Sequence, residues 1–291
     1  MENLRSKILA LAELVKIKIT FFVAFSTTAG YILYSKELSF GIITASLGVF
    51  LLACGSSAIN HFQERKTDGL MNRTKNRPLP AGKISERQAL IIICLLLVSG
   101  TIVLYVFTNL VAVLLGLTAV VWYNAIYTPL KKKTALAVVP GALIGAIPPM
   151  VGYVSAGGYI FNFENISLAL FFFIWQVPHF WLLLLLYEKD YERAGFPVLS
   201  KSFSIEQLSR ITFTWIFALA ASCLAIPFFG SGKNLIIELL LVFSACWLII
   251  KSSRLLVKNN EKLNFRFAFK EINTFVLIVV LLISINKLVF S

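Results

Sequence analysis

The chain has 291 residues, of which 58% are hydrophobic and only 14% are charged, and its mean hydropathy is +0.82. A soluble domain of this length would not be so apolar, so the composition excludes that class of protein. The formal net charge of +13 does not indicate nucleic-acid binding, because the basic residues lie in short segments beside apolar runs.

Nine apolar runs follow one another along the chain, and each is long enough to cross a bilayer. Their bounds are about 17–34, 40–59, 88–107, 110–128, 135–155, 166–186, 211–229, 234–251 and 271–289. The sequence therefore predicts an all-α membrane protein with nine transmembrane helices, which forms a single polytopic domain over residues 1–291.

The Lys and Arg residues are distributed unevenly between the two sides of the membrane that these runs define. One side, which we call the basic side, holds 24 of the 27 Lys and Arg residues. It consists of the N-terminal segment and the loops 60–87, 129–134, 187–210 and 251–270. The other side has only Lys36, Lys233 and Lys287. Because basic loops remain in the cytoplasm, we expect a cytoplasmic N-terminus and a C-terminus outside.

The first 16 residues mix charged and apolar positions, and the apolar run after them is too long for a cleaved signal peptide. No Arg- and Ser-rich transit peptide is apparent, which favours the bacterial inner membrane over an organelle. The cysteines all lie in predicted spans without CxxC spacing, so they predict neither a disulfide framework nor a zinc site. They are Cys54, Cys94, Cys223 and Cys246.

The segment after the second apolar run places three polar side chains four residues apart. On a helix, Asn60, Glu64 and Asp68 drift by only about 40° per step and share one face. Amide and carboxylate oxygens in this arrangement are suited to hold Mg²⁺. The alternative is an interfacial helix whose acids simply pair with neighbouring basic side chains.

Basic side chains and prolines follow these acids in MNRTKNRPLPAG. Arg73 and Arg77 lie four residues apart, and Pro78 and Pro80 fix the turn after them. Guanidinium groups bind phosphate oxygens through paired hydrogen bonds. The combination favours a site for magnesium and diphosphate over an ordinary basic patch beside the membrane.

Three lysines follow the fourth apolar run in the sequence YTPLKKKT. Lys131, Lys132 and Lys133 either anchor this end of the helix to anionic lipid or add positive charge around a diphosphate leaving group. The residues alone leave both interpretations open.

The fifth apolar run contains the sequence PGALIGAIPPMVGY. Gly141, Ala142 and Gly145 permit close helix contact, and Pro148 and Pro149 are expected to break or kink the helix. Packing alone explains this pattern, but a kinked helix lined with glycine would also make room for a bulky planar or prenyl ligand.

The sixth apolar run contains a histidine in the sequence WQVPHF. His179 is either only hydrogen-bonded within the membrane, or it ligates a haem iron or moves a proton. Glu188 and Asp190 follow on the basic side. They are candidates for a second metal position, and the alternative is a solvated loop. The loop after the fifth run has one acid, Glu164, which we expect on the surface.

Taken in order, these blocks resemble the protohaem IX farnesyltransferases (haem O synthases) of the UbiA prenyltransferase superfamily. The resemblance covers nearly the whole chain and rests on Asn-x-x-x-Glu-x-x-x-Asp with MNRTKNRPL, on YTPLKKKT, on GxxxGAIPPMVGY and on WQVPHFWLL. It implies nine transmembrane helices around a central cavity open to the membrane. It also implies that the loops 60–87 and 187–210 are cytoplasmic and catalytic.

The resemblance implies Mg²⁺-dependent transfer of farnesyl from farnesyl diphosphate to the 2-vinyl group of protohaem IX, which gives haem O for terminal oxidase assembly. Haem A synthase and oxidase assembly proteins are the implied partners. The implied metal ligands are Asn60, Glu64, Asp68 and Asp190, which are also the catalytic residues. The implied diphosphate-binding residues are Arg73, Arg77, Lys131 and Lys132, and the implied haem-binding residue is His179.

The chain departs from the pattern of the superfamily in two respects. The superfamily often has Asp where Glu64 stands, and it has more acids where Tyr187 and Lys189 stand. Another prenyltransferase of this superfamily, acting on an aromatic or quinone precursor, is the nearest alternative function. A transporter is a more distant one, because transporters place ionisable residues near the bilayer midplane. Here the acids gather at the edge of the membrane on the basic side.

Overall fold

The computed structural model describes residues 2–230, 234–257 and 261–290, and all regular elements in these ranges are helical. Lys233 and Lys258, which the distribution of basic residues includes, lie outside the described residues. A helix on the basic side, α1 (Glu2–Leu14), precedes the first span.

Within the described ranges, nine helices are long and apolar enough to cross a membrane, which confirms the predicted number. They are α2 (Ile17–Ser35), α3 (Phe40–Asp68), α4 (Glu86–Phe107), α5 (Leu110–Leu130), α6 (Ala135–Ser155), α7 (Phe163–Leu186), α9 (Ile205–Phe229), α10 (Leu235–Leu256) and α11 (Glu261–Phe290). The short helix α8 (Glu188–Arg193) follows α7 on the basic side.

The membrane helices form a closed ring, in which each helix contacts the next and α11 returns to contact α2. Contacts of α2 with α6 and of α7 with α11 cross this ring. Glycines bring some of them very close together. A methyl group added at Gly30 of α2 or at Gly152 of α6 would overlap the backbone of the facing helix, so these two helices touch directly. Gly141 and Gly145 lie against side chains of α5 and α7, which confirms the close packing predicted for them.

The proline pair of α6 does not interrupt the helix where the sequence predicted. The α-helical segment Leu143–Ser155 runs through Pro148 and Pro149, and the interruption lies at Ala142 instead. The prolines lack the N–H groups that would bond the carbonyls of Ile144 and Gly145, which lie inside this segment, so they do not account for the interruption at Ala142.

The helix α5 contains a π-helical turn, Trp122–Tyr127, close to its end on the basic side. The Asn124 amide donates to the Ser56 hydroxyl at 2.7 Å and to the Val120 carbonyl at 2.9 Å. The Gln63 amide in turn donates to the Asn124 carbonyl at 3.1 Å. These side chains satisfy backbone groups that the wider turn displaces, as is common for π-turns at functional positions.

Glu164 is not a surface residue, contrary to the sequence-based expectation. It lies in the first turn of α7 and is 7% exposed. Its carboxylate forms an ion pair with the Lys287 ammonium of α11 at 2.7 Å. A charge at this depth is stable when it is paired, so the contact joins α7 and α11 on the side opposite the basic side.

Candidate functional site

The strongest concentration of buried polar groups lies on the basic side, where α2 begins and where α3 and α5 end. Helix α3 continues past the predicted end of its span to Asp68, so Asn60, Glu64 and Asp68 stand on a helix rather than in a loop. All three are buried, with exposures of 1%, 4% and 1%. Their side chains line one helix face, as the spacing of four residues predicted.

Two cations hold the two carboxylates. The Lys131 ammonium lies 2.7 Å from Oε2 of Glu64. Nη1 of Arg77 donates to both carboxylate oxygens of Asp68, at 2.9 and 2.8 Å. The fold thus joins the acids of one motif to Arg77, which follows it, and to Lys131 of the YTPLKKKT motif.

Lys16 belongs to the same cluster, although its place in the sequence indicated only the topology. Its ammonium donates to Oδ1 of Asn60 at 2.8 Å and to the Tyr123 hydroxyl at 3.3 Å. Its backbone, at φ 51°, adopts the left-handed conformation between α1 and α2. Non-glycine residues adopt this conformation rarely, and it often marks a functional position.

The environment of Lys16 lowers the pKa of its ammonium to about 7, chiefly through burial and further through the positive charges of Arg77 and Lys131. A site that brings three cations this close is suited to a multiply charged anion. The signal that was available in the sequence is the position of Lys16 at the basic-side end of the first span, level with Asn60.

The carboxylates fit a magnesium ion in one specific respect. Oε1 of Glu64 is buried and has no hydrogen-bond partner, although its neighbour Oε2 accepts from Lys131 and, at 3.1 Å, from the Asn60 amide. A buried carboxylate oxygen without a partner suits a cation. Across the described ranges, no three His, Cys, Asp or Glu side chains form a metal-binding group by themselves. Magnesium commonly takes one or two carboxylates and completes its shell with substrate phosphate and water.

The two loops on the basic side contact each other through Arg73. Its backbone N–H donates to Oδ2 of Asp190 at 3.2 Å, and its guanidinium lies 4.9 Å from the ring centre of Tyr187. Asp190 therefore faces the first motif but does not join the cluster around Glu64. Lys132 is exposed and makes no contact with that cluster within the described chain.

Aromatic rings extend from the polar cluster toward α7. The rings of Tyr123 and Tyr127 stack at 5.9 Å, and Tyr127 stacks on Phe180 at 5.7 Å. The Lys16 and Lys131 ammonium groups lie 5.9 and 5.6 Å from the centres of the Tyr123 and Tyr127 rings. We call the rings of Tyr123, Tyr127 and Phe180 the aromatic wall. The π-helical turn carries both tyrosines, so the local backbone positions this part of the wall.

His179 lies at the far end of this aromatic wall, 5.8 Å from the Phe180 ring. Its Nδ1 is 2.9 Å from Oδ1 of Asn273 on α11, and its ring packs against Trp175 at 4.8 Å and Phe269 at 4.9 Å. It is thus separated from the carboxylates by the stacked rings. No motif of the sequence pointed to Asn273.

Sequence comparison places the chain beside known proteins. A profile described as the UbiA prenyltransferase family matches residues 23–278. The protoheme IX farnesyltransferase of Geobacter sulfurreducens is 42% identical over 205 residues, which cover 70% of this chain and 76% of that protein. The protoheme IX farnesyltransferase of Oleidesulfovibrio alaskensis is 29% identical over 282 residues, which cover 97% and 98%.

Solved structures share the fold. A structure of digeranylgeranylglyceryl phosphate synthase superposes with a TM-score of 0.75 at 19% identity, over 99% of each chain. A UbiA homolog from Archaeoglobus fulgidus bound to GPP and Mg²⁺ superposes with a TM-score of 0.70 at 17% identity, over 95% of this chain and 98% of that one.

Proposed function

The chain belongs to the UbiA prenyltransferase family, and from that premise we propose that it transfers farnesyl from farnesyl diphosphate to the 2-vinyl group of protohaem IX, which yields haem O. The observation that carries the proposal is the buried cluster of carboxylates and cations, joined by an aromatic wall to His179. The relatives named protoheme IX farnesyltransferase support the choice of acceptor.

We assign Asn60, Glu64 and Asp68 to a magnesium ion, with Asp190 as a further ligand from the second loop. The unpartnered Oε1 of Glu64 supports the assignment, and Mg²⁺ in a related solved structure agrees with it. When bound, the ion neutralises charge on the diphosphate and so favours its departure.

The basic side chains bind the diphosphate and stabilise the negative charge that it gains on leaving. Arg77 and Lys131 already contact the carboxylates at hydrogen-bonding distance, and Lys16 contacts the amide oxygen of Asn60. Arg73 lies on the adjoining loop, and Lys132 lies exposed beside Lys131. Donors fixed before the reaction stabilise developing charge without having to reorganise, which is why such groups contribute strongly to catalysis.

The aromatic wall protects the cationic end of the farnesyl group. Cleavage of the bond between C1 and the diphosphate oxygen leaves an allylic cation, and the faces of Tyr123 and Tyr127 lie beside the polar cluster to stabilise it. The terminal carbon of the haem vinyl group attacks C1 and forms the new carbon–carbon bond. Water then adds to the adjacent carbon and loses one proton, so the net products are haem O and diphosphate.

We assign His179 to the haem, as the residue that ligates its iron or orients its ring. His179 lies at the end of the aromatic wall, away from the carboxylates, where an acceptor would meet the allylic carbon. Because the chain is a multi-pass membrane protein, the apolar chain of the prenyl donor and the apolar face of the haem both reach the site from the bilayer.

We place the protein in the bacterial inner membrane with its basic side in the cytoplasm, where a water-soluble diphosphate head is available. The loops 60–87 and 187–210 are then cytoplasmic and catalytic. The product supplies terminal oxidase assembly, with haem A synthase or oxidase assembly proteins as partners.

The test is to incubate the purified protein with farnesyl diphosphate, protohaem IX and Mg²⁺ and to identify the product by mass. We expect haem O and diphosphate, no turnover in EDTA, and recovery on addition of excess Mg²⁺. An active preparation that prenylates an aromatic or quinone precursor but not protohaem would overturn the proposed acceptor. Uptake into vesicles without any product would instead indicate a transporter.

A further inference from the structure

A groove of about 250 Å³ lies between the basic-side ends of α7 and α11. Its walls are Leu183, Leu186, Tyr187, Arg266 and Phe269. They are largely apolar, with one cation. This volume is below that of a typical pocket for a complete small-molecule ligand, so the groove suits one edge of an amphiphile rather than the whole of it.

The groove is continuous with the surroundings of His179. Phe269 is shared, because it lines the groove and its ring centre lies 4.9 Å from that of His179. Leu183 stands four residues after His179 and therefore one turn closer to the basic side on the same face of α7. A molecule that binds in the groove thus lies next to the histidine.

Asn273 determines which nitrogen of His179 is free. Its amide nitrogen donates to the Phe269 carbonyl at 2.6 Å, so its oxygen is the atom that faces Nδ1 of His179 at 2.9 Å. An amide oxygen only accepts, so Nδ1 carries the hydrogen and Nε2 keeps its lone pair. Nε2 makes no hydrogen bond to any described residue. Histidines that bind metal commonly have their other nitrogen held in this way.

Arg266 is the charged side chain in the wall of the groove. It is exposed, and no described residue forms an ion pair or a side-chain hydrogen bond with it. Seven residues separate it from Asn273 on α11, which corresponds to two turns and about 10 Å along the axis. The separation is comparable to that between the iron of a haem and the carboxylates of its propionate groups.

We propose that the groove between α7 and α11 is the subsite for the propionate edge of the porphyrin acceptor. In this subsite Arg266 binds a propionate carboxylate, and Asn273 is a positioning residue that aims Nε2 of His179 at the iron. The proposal rests on the proposed function, because it takes protohaem as the acceptor.

This orientation is consistent with the position of the donor site. Phe180 lies beside His179 and stacks on Tyr127, so the aromatic wall begins next to the histidine. A porphyrin held by its propionates at Arg266 therefore has its opposite, vinyl-bearing edge free to reach the aromatic wall. The groove selects the orientation, and the donor site performs the transfer.

The experiment measures equilibrium binding of three porphyrins to the full-length protein in nanodiscs, by absorbance titration. The porphyrins are protohaem IX, its dimethyl ester, in which the carboxylate charges are absent, and iron-free protoporphyrin IX. The variants are Arg266→Gln with Lys270→Gln as its control, because Lys270 is an exposed cation of the same helix that does not line the groove. Asn273→Leu is compared with Asn273→Asp, which retains an oxygen to accept from Nδ1.

For Arg266→Gln we expect about tenfold weaker binding of protohaem and of iron-free protoporphyrin, and unchanged binding of the dimethyl ester. For Asn273→Leu we expect about tenfold weaker binding of protohaem with an altered Soret band, but unchanged binding of iron-free protoporphyrin. Asn273→Asp and Lys270→Gln should resemble the wild type, and KM for farnesyl diphosphate should stay the same in all four variants.

Two results would contradict different parts of the reasoning. If the wild-type protein makes haem O while Arg266→Gln and Asn273→Leu bind all three porphyrins as the wild type does, the subsite is wrong and the proposed function stands. If the wild-type protein neither binds protohaem nor makes haem O, protohaem is not the acceptor, and the proposed propionate subsite is then also wrong.

Discussion

Replacing Lys16 by methionine tests whether this residue, which only the fold revealed, belongs to the diphosphate site. The substitution keeps most of the side-chain volume and removes the ammonium that donates to Asn60 at 2.8 Å and to Tyr123 at 3.3 Å. Hydrogen bonds made by a charged donor are worth about 1.5–3 kcal/mol. If Lys16 makes such a bond to the departing diphosphate, its loss lowers kcat/KM for farnesyl diphosphate by about 10- to 100-fold.

Lys18→Met is the matched control, since Lys18 is an exposed cation two residues further along, in the first turn of α2. Initial rates of diphosphate release are measured for both variants over a range of farnesyl diphosphate concentrations, after equal thermal unfolding in detergent has been verified. We expect a large loss for Lys16→Met only, with KM for protohaem unchanged. Equal kcat/KM values for the two variants would show that Lys16 serves topology or packing alone.

Asp68→Asn removes a carboxylate from the metal and should lower turnover by at least about 100-fold. Residues that only hydrogen-bond to a metal ligand typically cost about 10- to 100-fold when mutated, so a direct ligand should cost at least as much. Unchanged haem O production would show that Asp68 is not a metal ligand. Asp190→Asn keeps an oxygen to accept from the Arg73 N–H at 3.2 Å, so a contact that only joins the loops would survive. A metal ligand would lose its negative charge and bind Mg²⁺ more weakly, so we expect a higher Mg²⁺ requirement, measured by titrating Mg²⁺ against rate. Glu164→Gln removes the ion pair at 2.7 Å that joins α7 to α11 and should destabilise the fold by about 3–5 kcal/mol. Its unfolding midpoint in detergent should fall while kcat of the folded protein stays unchanged, and a midpoint equal to that of the wild type would contradict the structural role.

The amino-acid sequence was sufficient for the class, the number of spans and the face shared by Asn60, Glu64 and Asp68. Long apolar runs are local features, and the spacing of four residues describes a helix face wherever the helix lies. The end of the second span was less predictable. Helix α3 continues to Asp68 because the polar face that it presents is covered by Lys16, Arg77 and Lys131 rather than by lipid.

The sequence reveals each motif separately, but it does not predict which side chains of different motifs pair with one another. Glu64 and Lys131 are 67 residues apart, and His179 and Asn273 are 94 apart. No local pattern relates such residues, because their distance depends on which helices are neighbours in the ring and on the depth of each side chain. The expectation for Glu164 was wrong for the same reason, since its partner, Lys287, lies in the last helix.

By itself, then, the sequence determined that this is a nine-helix membrane protein with acids and guanidiniums gathered on its basic side. These properties follow from the composition of each segment and from the spacing of its polar residues. The tertiary structure decided that Lys16 contacts Asn60, that Asp190 reaches Arg73 but not Glu64, and that Asn273 leaves Nε2 of His179 free. Each of these depends on the packing of helices distant in the chain, where a shift of one turn, about 5.4 Å, would separate the same side chains.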